Sequence, residues 1–242
     1  MVRLGTGAAR GVGRVTTADA DLVAGIEAVL FDLDGVLVDT EPWWHEVRVA
    51  WAAARGRPWR EEDSRLCMGR NSREWSEIMR ERLGAAETPF AIEQAIVAAL
   101  VARYASEPVP LVADAPAAAA RIGARVPVAI ASSAHPAVIR AAIGAAGLAP
   151  VFSTIVSSDD VPRGKPAPDV YLEAARRLGI APARCLVIED SRNGVLAGRA
   201  AGMRVVLVPN ASVAPGPGVA EIADAVLERL ADLPVASLGA SA

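Results

Sequence analysis

Lysine is almost missing from this chain. Of its 25 basic residues, 24 are arginine, and Lys165 is the single lysine. An arginine-biased composition accounts for the first number, but position has to account for the second. Cysteine is scarce as well. Cys67 and Cys185 lie far apart in sequence, which excludes a disulfide framework, a CxxC redox pair and a cysteine-rich zinc site. No apolar run approaches the ~18 residues needed to span a bilayer, so no membrane partner is expected. A basic excess is lacking too: the net charge is −3, which argues against binding to a nucleic-acid backbone. Aromatic residues make up only 4% of the chain, yet all five tryptophans (Trp43, Trp44, Trp51, Trp59 and Trp75) fall in one stretch. What remains is a globular composition. The 242 residues are 52% hydrophobic and 22% charged, enough chain for one or two domains and a sizeable core.

Two textures alternate along the sequence. Short unbroken apolar runs occur at 28–31, 126–131, 154–156, 186–188 and 205–208. Runs of this kind suit strands buried on both faces of a parallel sheet. Between most of them lie helical segments that stop at glycine: Pro136 to Ala146 before Gly147, Pro168 to Leu178 before Gly179, and Ser191 to Ala201 before Gly202. The repetition predicts an α/β fold, a doubly wound parallel sheet with a Rossmann-like core. Residues 225–227 add a last short strand. The stretch 41–107 differs. It reads as helices over 41–55, 71–84 and 88–106 with no strand between them. The expected organisation is a loose extension at 1–24, an α/β core from 25–41 and 107–235, a helical domain at 42–106, and a C-terminal tail at 236–242. With acidic residues at 19 and 21 and no apolar stretch of signal length in the extension, a cytoplasmic protein is expected.

The strand at 28–31 runs into Asp32-Leu33-Asp34-Gly35. Carboxylates at i and i+2 of an extended chain lie on the same side, here at the carboxyl end of a strand, where open α/β sheets bind ligands. Gly35 lets the backbone turn sharply there. Three further signatures follow in order. Ile130-Ala131-Ser132-Ser133 puts hydroxyls at a strand end, Gly164-Lys165-Pro166 carries the single lysine, and Leu186-Val187-Ile188-Glu189-Asp190-Ser191 ends a strand in two acids.

With these four motifs in this order, the chain resembles the haloacid dehalogenase superfamily over about residues 28–234. The helical insert after the first motif is similar to the small C1-type cap of its β-phosphoglucomutase and sugar-phosphate phosphatase subgroup. The resemblance implies a phosphatase that hydrolyses a small phosphate ester, a sugar or polyol phosphate, through an aspartyl-phosphate. Asp32 would be the nucleophile and Asp34 the acid and then the base. Ser132, Ser133 and Lys165 would hold the phosphate. Arg70 and Asn71 would face the substrate, on the cap loop that looks into the site in the family. A dense carboxylate cluster cannot stay ionised without a cation, and oxygen ligands with room for water suit Mg²⁺. The expected metal residues are Asp32, Asp190, Asp34 through its backbone carbonyl as the resemblance implies, and Glu189, which would bind or orient from behind.

Asp39, His45 and His135 are read as ordinary helix-start or surface residues, with His135 close enough to Ser132 for phosphate to be within its range. A β-phosphoglucomutase-like phosphomutase with the same aspartyl-phosphate is the first alternative. Those mutases carry a histidine four residues past the hinge threonine, where this chain has Trp44. A non-enzymatic phospho-acceptor or binding module is the second alternative. A receiver-type module, however, has its acidic pair early and its phosphoacceptor after the third strand, the reverse of the order here. A small-molecule phosphate ester as the only partner, and a monomeric state, complete the expectation.

Overall fold

The computed structural model describes residues 20–210 and 212–239. Six parallel strands form one sheet in the order β3-β2-β1-β4-β5-β6. They are β1 (Ala28–Phe31), β2 (Val128–Ser132), β3 (Thr154–Ser157), β4 (Cys185–Glu189), β5 (Arg204–Leu207) and β6 (Ala225–Val226). β1 lies between β2 and β4, with Phe31 opposite Ile130 on one side and Ile188 on the other. Its flanking strands lead away in opposite directions, so its carboxyl end is a switch point where a crevice opens.

Strand alternation divides the core in two. Val29, Phe31, Leu186 and Ile188 face helices α5 (Ala115–Gly123) and α6 (Pro136–Ala145). Ala28, Leu30, Cys185 and Val187 face α7 (Asp169–Leu178) and α8 (Arg192–Ala200). Because successive residues point to opposite faces, Glu189 continues the parity of Cys185 and Val187. Its side chain therefore goes toward α7 and α8, and this placement recurs in the site.

Four helices lie between β1 and α5: α1 (Glu41–Ala53), α2 (Glu61–Cys67), α3 (Ser72–Leu83) and α4 (Pro89–Ser106). α1 and α3 both pack on α4, and α4 also lies against α6 of the sheet layer. Trp75 is 1% exposed, and all five tryptophans are buried. A buried tryptophan of this kind contributes about 3–5 kcal/mol relative to alanine. Asn71 caps α3 by accepting from the Glu74 amide at 2.9 Å, while Gly84 closes it at φ 55°. α4 starts at Thr88-Pro89 in the same manner. The chain enters and leaves the insert side by side: the Asp39 amide donates to the Pro110 carbonyl at 2.8 Å, and the Val112 amide to that of Leu37 at 3.2 Å.

The structure has two helices that the sequence reading left out, α2 and α5. α2 is seven residues of mostly polar sequence with no apolar period to betray it. It is started by Asp63, which accepts from the Arg60 amide at 2.9 Å. α5 is alanine-rich and follows Asp114, which sits at φ 61°. Much of the expected loose extension at 1–24 lies outside the described residues. In its described part Leu22 and Val23 are buried, and Arg204 Nη1 donates to the Leu22 carbonyl. Leu238, in the expected C-terminal tail, is buried in the core as well.

Candidate active site

Asp32 follows β1 directly, and its amide donates to the Ile188 carbonyl at 3.0 Å, which extends the sheet by one bond. Its carboxylate meets Lys165, whose Nζ lies 2.6 Å from Asp32 Oδ1 and 2.6 Å from Glu189 Oε1. The ammonium is buried and sits over the Tyr171 ring, 4.9 Å from the centroid. Burial disfavours its charge, but the two carboxylates outweigh this and hold its pKa above the ordinary lysine value. The single lysine of the chain is thus the ion-pair partner shared by two strand ends.

Glu189 has no free oxygen. Oε1 accepts from Lys165 and, at 2.8 Å, from the Tyr171 hydroxyl. Oε2 accepts from the Asp190 amide, the Ser191 amide and the Ser191 hydroxyl at 2.9–3.0 Å. Burial raises the Glu189 pKa, yet Lys165 and these donors pull it below the usual carboxylate range. The packing leaves no room beside it: a β-carbon at Gly194 of α8 would fall 1.6 Å from Glu189 Oε1.

Asp190 is the opposite case. Its buried side chain accepts no hydrogen bond from the described residues, and burial, Glu189 and Asp32 push its pKa well up. Asp32 is pushed to about 8 by burial, with Glu189 and Asp34 adding to the rise and Lys165 opposing it. Carboxylate oxygens of Asp32, Glu189 and Asp190 lie within 4.8 Å of one another. The donor set is hard oxygen, and one of its members has its lone pairs free, so the residues fit a small divalent cation.

Asp34 is held apart from that cluster by its side-chain bonds. Its Oδ1 accepts from the Thr40 hydroxyl at 2.5 Å and from Trp44 Nε1 at 3.2 Å. Burial raises its pKa, and these two donors moderate the rise. Asp32, Asp34, Lys165, Asp190 and Ser132 all line one cavity of about 890 Å³ between the sheet end and the helical insert. Ser132 is 1% exposed, and its hydroxyl accepts from the Ala134 amide at 3.1 Å.

The other expected residues divide. Arg70 lines the cavity, although its Nε donates to the Leu66 carbonyl at 3.0 Å. Ser133 lines it too, but its hydroxyl donates to the Gly69 carbonyl at 3.0 Å and so joins the insert loop to β2. Asn71 is spent as the α3 cap and does not reach the cavity. His135 caps α6 through Nδ1 and does not line the cavity either. His45 does line it, and is bonded to Ser64 at 2.8 Å. Asp39 pairs with Asn210 and Ser212.

Sequence reasoning missed Tyr171, Gly194 and Arg48, and it missed the bonds that bring Thr40 and Trp44 onto Asp34. The i to i+6 spacing of Asp34 and Thr40 across a tight turn was a usable signal. Arg48 carried none among 24 arginines. Glu41 also lines the cavity, and burial and the nearby Asp34 charge push its pKa to about 7.

Comparison with known proteins places this geometry. The sequence profile for haloacid dehalogenase-like hydrolases matches residues 26–202. The chain is 32% identical over 183 residues to fructose-1-phosphate phosphatase YqaB of Escherichia coli (strain K12), a match covering 74% of this chain and 94% of that one. A stretch of 86 residues, 35% of this chain, is 55% identical to the bifunctional riboflavin kinase/FMN phosphatase of Arabidopsis thaliana, of which it spans only 23%. Among solved structures, CbbY from Rhodobacter sphaeroides in complex with phosphate superposes with a TM-score of 0.75 at 28% identity, covering 85% of this chain and 95% of that one.

Proposed function

The chain belongs to the haloacid dehalogenase-like hydrolase family, and we infer that it is a Mg²⁺-dependent phosphatase acting on a small sugar or polyol phosphate through an aspartyl-phosphate. As an enzyme it is a phosphoric monoester hydrolase. The observation that carries the finer reading is the sharing of Lys165 between Asp32 and Glu189, 2.6 Å from each, with Asp34 independently fixed beside them by Thr40 and Trp44.

In this reading Asp32 attacks phosphorus and the ester oxygen leaves. Asp34, whose pKa is raised by burial, gives that oxygen its proton. It then takes one from the water that hydrolyses the acyl phosphate. Lys165 holds a phosphate oxygen and keeps Asp32 oriented, and the Ser132 hydroxyl offers a second donor. Glu189, fully bonded, keeps Lys165 and the Asp190 turn in place. Asp32, Asp190 and the Asp34 carbonyl would hold Mg²⁺, which when bound would neutralise phosphate charge. The helices at 42–106 act as the cap that closes over the substrate and excludes bulk water, and residues 25–41 and 107–235 form the catalytic core. No helix among the described residues is long and apolar enough to cross a membrane. The reading makes the protein a cytoplasmic monomer that acts on small molecules rather than nucleic acids.

A panel of sugar and polyol phosphates, assayed with Mg²⁺ for both free phosphate and isomerised product, tests the reading. Phosphate release in excess of isomerisation on the preferred ester is expected. With β-glucose 1-phosphate and a bisphosphate primer, glucose 6-phosphate appearing faster than phosphate would replace the phosphatase by a phosphomutase.

A further inference from the structure

Arg48 is a buried cation with no counter-charge in contact. It sits on α1, is 4% exposed, and lines the cavity. Its Nε is buried without a hydrogen-bond partner, and the guanidinium makes no ion pair among the described residues. Two indoles hold it instead: its Cζ lies 4.9 Å from the Trp44 ring centroid and 5.5 Å from that of Trp75. Aromatic faces attract the charge but accept none of the five N–H donors of a guanidinium in the manner of an oxygen. The nearest acids do not supply one either. Asp34 Oδ1 is already taken by Thr40 and Trp44. Asp34 and Glu41 are near enough for the Arg48 charge to lower their pKa values, yet neither bonds the guanidinium among the described residues. The guanidinium is thus held at the cavity wall with its Nε shut from water and without a hydrogen-bonded partner. A planar guanidinium in this state fits a carboxylate or a phosphate, which can accept two of its bonds at once.

Trp44 sets where that anion sits. Its indole N–H bonds Asp34 while its ring carries Arg48, so the fork lies one indole away from the group assigned to the leaving oxygen. We propose that Arg48 is a specificity residue that binds a second anionic group, a carboxylate or phosphate, at the end of the substrate remote from the phosphate being cleaved. This rests on the phosphatase reading above and narrows its substrate class to doubly anionic esters. Trp75 backs the site from α3, and removing either indole would free the guanidinium to swing into water.

Two matched pairs test this. 3-Phosphoglycerate and glycerol 3-phosphate differ in a carboxylate against a hydroxymethyl group. Fructose 1,6-bisphosphate and fructose 1-phosphate differ in a second phosphate. Within each enzyme preparation the ratio of kcat/KM for the doubly anionic member to that for its partner is independent of the folded fraction. The ratio should exceed 10 in at least one pair for the wild type, and should fall at least tenfold in Arg48→Met. The pair that responds identifies the anion. Should Arg48→Met not fold, Arg48→Gln is held to the same fall. A wild-type ratio near or below one in both pairs, or a ratio left unmoved by the substitution, overturns the proposal. If none of the four esters is hydrolysed, the phosphatase reading fails separately. The same ratios are then read as binding constants by calorimetry on Asp32→Asn and on Asp32→Asn/Arg48→Met. A preference present in the first and lost in the second sustains the anion site, and equal binding within both pairs rejects it.

Discussion

Gly35 and Asp190 compete for one space. A β-carbon at residue 35 would lie 1.9 Å from Asp190 Oδ2, and Gly35 itself stands at φ +83°. The glycine of the first motif therefore serves the acid of the last, although 155 residues separate them: its bare backbone leaves the volume into which Asp190 turns. Gly194 stands in the same relation to Glu189. Both acidic side chains are positioned by what a neighbouring glycine lacks.

Gly35→Ala should therefore act through Asp190 as well as through backbone strain. We expect the apparent affinity for Mg²⁺ to fall ~10–100-fold, the usual cost of disturbing a group that orients a metal ligand. Mg²⁺ titration of phosphatase activity measures it. An unchanged metal requirement in Gly35→Ala would mean that Asp190 is not a ligand.

Lys165→Arg should cost at least ~10-fold in kcat/KM, about 1.4 kcal/mol. The ammonium is a compact charge between Asp32 and Glu189, packed over Tyr171. A flat, wider guanidinium cannot sit 2.6 Å from both oxygens in that enclosure. Steady-state kinetics on the folded variant decide the matter, and wild-type kcat/KM would make the lysine a bystander.

The crowded carboxylates make a prediction about stability. Burial and the charges of Glu189 and Asp32 push the Asp190 pKa well up, so without a cation its carboxylate destabilises the fold. Asp190→Asn should raise the melting temperature of the metal-free protein by ~2–4 °C, the shift expected for roughly 1 kcal/mol in a domain of this size. It should also abolish activity and the stabilisation that Mg²⁺ gives the wild type. EDTA should remove wild-type activity. A metal-free Asp190→Asn protein less stable than the wild type, at neutral pH, would show that this repulsion is not stored.

Asp63 gives a pH signature away from the site. Burial raises its pKa, but the Arg60 amide and the Arg82 guanidinium outweigh burial and bring it below the usual aspartate range. A lowered folded-state pKa contributes stability above the unfolded value, and that stability is lost as pH falls through the folded value. Asp63→Asn, which can still accept from the Arg60 amide but loses the charge that pairs with Arg82, should therefore cost ~1 kcal/mol at pH 7. The difference from wild type should shrink below about pH 4. Denaturation at pH 7 and pH 3 compares the two, and a constant difference would contradict the assignment.

The parallel sheet was legible because buried strands write themselves as unbroken apolar runs, and β1 at 28–31 reads the same in sequence and structure. Asp32, Asp34 and Asp190 stood out because each follows such a run, and Lys165 because it is the single lysine. α2 was illegible: its helix is held by a local cap at Asp63 and not by apolar periodicity. Asn71 was legible as a helix start, because Glu74 three residues on completes a capping box, whereas its expected place facing the substrate is not where the cap leaves it. Arg48 could not be singled out at all, since its distinction lies in which neighbours it lacks, a property only the packing reveals.

The central claim is that Asp32 carries the phosphoryl group. Acid quench during turnover of the preferred ester, followed by borohydride reduction and peptide mass mapping, converts an acyl phosphate into homoserine at its own position. The account predicts homoserine at residue 32, and a loss of several orders of magnitude in turnover for Asp32→Asn. Homoserine at residue 34, or near-normal turnover in Asp32→Asn, would contradict it.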